Sequence, residues 1–152
     1  MPHARGLASD RGVSTIADMG EMPPTSCDLS IRVRYPESDP MGYLHHSKFF
    51  EYFEMGRIEL LRHAGFSYRD LEDEGCFFAV VRIECRFRSP GRFDDELVLT
   101  TKMDRMTRAR IDHSYVLRRG DVVLCDANST IACVDRKGKL QPIPDKIFVE
   151  IG

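Results

Sequence analysis

The segment YPESDPMGYLHHSKFFEYFEMGRIELLR, Tyr35 to Arg62, divides into a turn and a helix. Pro36, Pro40 and Gly42 stand within seven residues, so the backbone neither runs on as a strand nor enters a helix before about Tyr43. Asp39 is therefore held in a loop. Ser47 is the candidate N-cap. From there Phe49, Phe53, Gly56, Leu60 and Ala64 recur at three- and four-residue steps, with Lys48, Glu51, Glu59 and Arg62 on the other side. That is the pattern of one amphipathic helix. Gly65 ends it, since glycine best takes the left-handed conformation just past a helix end, and Phe66 can fold back on the last turn. Gly56 on the apolar face lowers helix propensity by about 1 kcal/mol against Ala, which points to a strand backbone passing close by.

A helix N-terminus offers free backbone amides and about half a positive charge, which suits a carbonyl oxygen that becomes an anion. Asp39 adds a carboxylate beside it. Together they form a minimal site for acyl transfer, in which amides polarise the carbonyl and the acid attacks or deprotonates water. An Asp in a Pro/Gly turn also serves simply as a turn former or cap, and spacing alone leaves both roles open.

The pattern Tyr35, Asp39, Gly42, His46, Phe49-Phe50, Tyr52-Phe53-Glu54, Arg57, Glu59 and Leu61-Arg62 resembles the 4-hydroxybenzoyl-CoA thioesterase family of hotdog-fold proteins. Within it, the chain is most like the acyl-CoA thioesterases associated with the Tol-Pal system. The resemblance runs from about Ile31 to the C-terminus. It implies that Asp39 is the catalytic carboxylate and that the amide of His46 polarises the thioester carbonyl. It also implies that the side chains of Tyr35 and His46 belong to the active site. Pro40-Met41 after the acid and the second histidine, His45, depart from the pattern of that branch, so the substrate does not carry over.

Ile31 to Tyr35 alternates apolar residues with Arg32 and Arg34, as a half-buried strand does. Ser67 and Asp70 resemble a capping box, so Ser67 to Glu74 reads as a short helix closed by Gly75. That helix serves as a lid over the acyl group or as a plain connector. From Phe77 onward the chain is strand and turn. Val81, Ile83, Cys85 and Phe87 form one apolar face, with Arg82, Glu84, Arg86 and Arg88 on the other, and Pro90-Gly91 breaks the strand. Glu96 to Arg105, Ala109 to Arg119 and Val122 to Val134 follow as strands, the last two joined by the Gly120-Asp121 hairpin signal. Ile147 to Ile151 reads as a final extended segment.

The sum is an α+β chain whose antiparallel sheet must curl around its single long helix, because one helix covers only one face of a flat sheet. The hotdog fold has this form. Curled sheets keep edges that a second copy covers, and the resemblance implies a homodimer or homotetramer with sites at subunit boundaries.

The 152 residues, 42% hydrophobic, make one domain with a core that needs no staple. Residues 1–28 are rich in Gly, Ser, Pro and charge and lack a signal peptide's apolar core, so they read as a mobile tail with Cys27 idle, and 29–152 as the thioesterase domain. A net charge of −2 supplies no field for nucleic acid. No apolar run reaches the 18 or so residues needed to span a bilayer. Five cysteines without a CxxC pair argue against disulfides and a zinc ribbon. Cys85 and Cys133 in apolar strands read as reduced and buried, which places the chain in the cytoplasm.

Arg86, Arg88 and Arg92 flank one turn and Arg105, Arg108 and Arg110 another. Arg86, Arg88 and Arg108 are candidate partners for the phosphates of CoA, although outward strand charges serve solubility and cross-strand pairing as well. His45-His46 does not make a metal site, because adjacent rings do not converge on one ion and there is no HExxH spacing. His45 is expected in solvent. Glu54 is expected to pair with Arg57 along the helix. The reading is hydrolysis of an acyl-CoA thioester by Asp39, His46 and Tyr35 without cofactor or metal. A hotdog dehydratase or hydratase and a non-catalytic acyl-CoA-binding module are the rival readings.

Overall fold

The computed structural model describes residues 22–151. In chain order the elements are β1 (Ser26–Arg32), a 3-10 turn (Tyr35–Glu37), α1 (His46–His63), α2 (Tyr68–Asp73), β2 (Phe77–Phe87), β3 (Glu96–Met106), β4 (Arg110–Arg119), β5 (Val122–Val134) and β6 (Leu140–Gln141). All strand pairings are antiparallel, in the order β1-β3-β4-β5-β2, with the short β6 also on β5. The strand that follows the helices therefore travels to the far edge and does not pair with β3. No helix among the described residues is long and apolar enough to cross a membrane.

One row of paired residues crosses five strands: Leu29, Leu99, Leu117, Cys125 and Phe87. Leu99, Leu117 and Cys125 are completely buried, and they share a core with Phe49, Tyr52 and Phe53 of α1. Because residues from every strand of this row meet the same helix, the sheet curls around it, as expected. A second apolar cluster at the other end gathers Leu71 of α2, Met106, Ile111, Ile131 and the C-terminal Ile143 and Ile147. Gly65 ends α1 with φ +92°, and the Phe66 amide returns to the Leu61 carbonyl at 3.1 Å.

Several expectations need correction. Residues 1–21 of the expected tail lie outside the described residues, but Ser26, Cys27 and Asp28 belong to β1. Cys27 is buried, its Sγ 3.9 Å from the carbonyl of Gly56, because the strand extends past the polar residues that hid it in the sequence. Gly56 does admit a neighbouring strand, but through side chains: a Cβ there would lie 2.2 Å from Thr101 Oγ1 and 2.8 Å from Leu99 Cδ2. A bulge between Val80 and Arg82 shifts the parity of β2. Val81 is thus exposed while Ile83 and Cys85, past the bulge, are half-buried; Phe87 shares their face and is exposed at the end of the strand. Between Ile147 and Ile151 no strand forms: Ile147 ends a turn, Phe148 to Glu150 have no regular secondary structure, and Ile151 makes one bridge to Met106.

Candidate active site

The Asp39 loop is fixed from beneath before it presents its acid. Glu37, 3% exposed, accepts the Arg34 amide at 2.7 Å and the Tyr52 hydroxyl of α1 at 3.0 Å. Its own carbonyl accepts the His45 amide at 2.8 Å, so one buried residue joins the loop to the helix start. Burial alone raises a carboxyl pKa. Here the Arg34 amide and side chain and the Tyr52 hydroxyl outweigh it and hold Glu37 below the usual carboxylate range. On the other side the Leu44 amide reaches the Gly91 carbonyl at 2.8 Å. A Cβ at Gly91 would stand 3.1 Å from Leu44 Cβ, so glycine permits this close approach.

Asp39 closes its own turn. Its Oδ1 accepts the Met41 amide at 2.9 Å and the Tyr43 amide at 3.0 Å, while its carbonyl accepts the Gly42 amide at 2.9 Å. Gly42, at φ +81°, is the residue type this turn needs. Asp39 Oδ2 has no hydrogen bond among the described residues. The turn-former reading thus accounts for one carboxylate oxygen and leaves the other unoccupied.

Helix α1 starts two residues earlier than expected. Its N-cap is His45, not Ser47: His45 Nδ1 accepts the Ser47 amide at 3.1 Å. His45 is accordingly half-buried and engaged, and its ring stacks on that of His46 at 4.2 Å. His46 is the first helical residue, and among the described residues its amide has no hydrogen-bond partner. Asp39, Tyr43, His46, Phe49, Phe87 and Arg88 line one open cleft of about 340 Å³. Phe49 and Phe87 meet edge to face there at 5.0 Å.

The remaining candidates separate. Arg88 lies in the cleft wall, where Nε and Nη2 bind both oxygens of Asp126 at 3.2 and 2.9 Å. Tyr35 is 77% exposed, packs edge-on against Phe93 at 5.4 Å and does not line the cleft. Arg86 lines a different depression, with Glu84, Asp104 and Asp126. Arg108 pairs with Asp145 and lies over the Phe148 ring at 3.8 Å. It precedes Arg110, which pairs with Ala132, whereas the cleft's Phe87 pairs with Cys125. Seven residues of β5 at roughly 3.3 Å each put it about 23 Å from the cleft.

Two supports escaped sequence reasoning. Glu37 looks like one more loop acid, and its bond to Tyr52 spans 15 positions that no periodicity links. Arg57 was expected beside Glu54 but turns inward. It is buried, and its Nη1 donates to the Tyr115 hydroxyl at 3.0 Å.

A curled sheet around one helix is an architecture this chain shares with solved proteins. A probable thioesterase from Bartonella henselae aligns with TM-score 0.75 and 32% identity over 78% of this chain and 99% of its own. The fold is the hotdog fold, of the thioesterase type. More narrowly, the Thioesterase-like superfamily model matches residues 33–149, and the chain belongs to that superfamily. A protein of Aquifex aeolicus is 32% identical over 117 residues, 77% of this chain and 91% of its own length. The acyl-CoA thioester hydrolase YbgC of Escherichia coli is 29% identical over 122 residues, 79% of this chain and 91% of that protein.

Proposed function

We propose that the chain hydrolyses an acyl-CoA thioester to the free acid and CoA, with Asp39 as the essential carboxylate. The observation that carries this reading is the divided Asp39 carboxylate. Two backbone amides orient Oδ1, and Oδ2 remains available in a cleft that also contains His46. Oδ2 either attacks the thioester carbon, giving a mixed anhydride that water cleaves, or takes a proton from the water that attacks. In both routes the C–S bond breaks and CoA leaves as a thiolate that is then protonated. The His46 amide and the α1 N-terminus stabilise the oxyanion. The chemistry calls for no cofactor or metal. Support also comes from the name of the Escherichia coli relative, an acyl-CoA thioester hydrolase.

Of the three candidate arginines, Arg88 is the one in the cleft wall, and it is assigned to the CoA phosphates. The active unit is read as a homodimer or homotetramer with sites at subunit boundaries, in keeping with the free edge of β2 and its exposed Val80 and Val81. The five free cysteines fit a reducing cytoplasm. The test is product analysis with short, long and aromatic acyl-CoA esters. Hydrolysis yields equal amounts of free thiol and free acid, whereas a modified acyl chain still attached to CoA would replace this reading with the dehydratase. An acyl adduct on Asp39, trapped during turnover, marks direct attack.

A further inference from the structure

His45 is tied to both the Asp39 loop and the helix. Its amide donates to the Glu37 carbonyl at 2.8 Å, and its carbonyl accepts the Lys48 amide at 2.9 Å. Its Nδ1 stands 3.1 Å from the Ser47 amide and 2.8 Å from Ser47 Oγ. A backbone N–H only donates, so Nδ1 is an unprotonated acceptor and the ring proton is on Nε2. Asparagine and serine, which are among the usual caps, stay neutral at every pH near 7. A histidine cap loses its acceptor when it gains a proton.

We propose that neutral His45 is a positioning residue for the reaction: its Nδ1 holds the first turn of α1, and with it the His46 amide, beside the Asp39 cleft, and protonation of His45 releases that turn. The reaction is that of the hydrolase reading, on which this part rests; the cap and its release stand on geometry alone.

Two observations set what a proton does. An imidazolium Nδ1–H turns donor toward Ser47 Oγ and deprives the Ser47 amide of this acceptor, at a helix end that already carries about half a positive charge. The His45 ring also stacks on that of His46, with centroids 4.2 Å apart and 28° between the planes, and His46 lines the cleft. The change therefore reaches the site through a ring as well as an amide. The other charged groups around this turn have partners of their own. Lys48 pairs with Glu51, Glu37 with Arg34, and Arg88 with Asp126. Asp39 accepts two amides, and Arg92 lies over the Tyr43 ring at 4.8 Å. Of these groups only the two histidines are of a type that changes charge between about pH 5 and 8.

The test is an NMR titration of the 15N-labelled full chain from about pH 8 to 5.5, beside kcat profiles of the native protein, His45→Asn and His45→Ala. At the alkaline end His45 Nδ1 should show the shift of an unprotonated nitrogen, and the Ser47 amide should move with the His45 ring as pH falls. In His45→Asn, whose side-chain oxygen caps without titrating, the Ser47 amide should lose that step. Its kcat should stay within about three-fold of native at the alkaline end and hold where native kcat declines. His45→Ala should lose kcat at every pH with KM little changed, by less than the about 10²–10³ of a missing oxyanion donor. A protonated Nδ1 at the alkaline end, or a Ser47 amide that does not follow the His45 ring, would overturn the proposal whether or not an acyl-CoA is cleaved. Coincident acid limbs in the native protein and His45→Asn would overturn it as well. If the native protein cleaves no ester, the hydrolase reading fails, and the ring and amide shifts alone decide the cap.

Discussion

The Tyr52 hydroxyl stands 3.0 Å from Glu37 Oε1, so the buried face of α1 holds the loop that carries Asp39 two residues later. Tyr52→Phe removes the donor and leaves Glu37 buried with one bond fewer. Stability should fall by about 1–3 kcal/mol, and turnover should fall with it because Asp39 loses its footing. Urea midpoints and thiol-release rates check this; a variant with both unchanged would detach the loop from the helix.

Replacing His46 separates amide from side chain. His46 is the first residue of α1, and His45 before it is extended at φ −63° and ψ 137°, the conformation that tolerates a following proline. His46→Pro should therefore fold normally and lose about 10²–10³ in kcat through the missing N–H, whereas His46→Ala should lose much less. Equal losses in the two variants would assign the role to the imidazole.

His113 makes stability depend on pH. Its folded pKa of about 3 lies below the ordinary 6.5, so between those values the unfolded chain binds more protons. The stability from keeping it neutral is complete above pH 6.5 and is lost as pH falls, by up to about 1.4 kcal/mol per pH unit. Glu37, also lowered, adds a loss below its ordinary 4.5. His113→Gln should flatten the upper window and leave the lower one, as read from denaturation midpoints across pH. An unchanged slope between pH 6.5 and 4.5 would mean that His113 titrates normally.

Gly56→Ala gains about 1 kcal/mol of helix propensity, but its Cβ would stand 2.2 Å from Thr101 Oγ1 in a fully buried site. Overpacking of this kind costs about 1–3 kcal/mol, so a net loss is expected in chemical denaturation. A raised midpoint would show that β3 yields.

Much of this was readable in the chain. The Pro and Gly spacing placed Asp39 in a turn, the three- and four-residue steps drew α1, and period-two alternation drew the long strands, because each signal is local. The parity shift in β2 was hidden, since a bulge adds one residue without any composition mark. His45 took the cap from Ser47 because its ring nitrogen accepts the Ser47 amide, the N2 amide of a helix that starts at His46. Glu37 and Arg57 carry no local mark of burial, since their buried partners stand 15 and 58 positions away. Tyr35 and Arg108 matched a motif and a basic cluster, but in this fold the chain sets both apart from the Asp39 cleft.

The most direct test of the central claim is thiol release from an acyl-CoA panel by the native protein and by Asp39→Asn. Asparagine keeps the shape and an oxygen to accept the Met41 and Tyr43 amides, and removes the negative charge. Turnover in the native protein that falls by about two or more orders of magnitude in the variant is the predicted result. Undiminished turnover in Asp39→Asn would contradict the role assigned to the carboxylate.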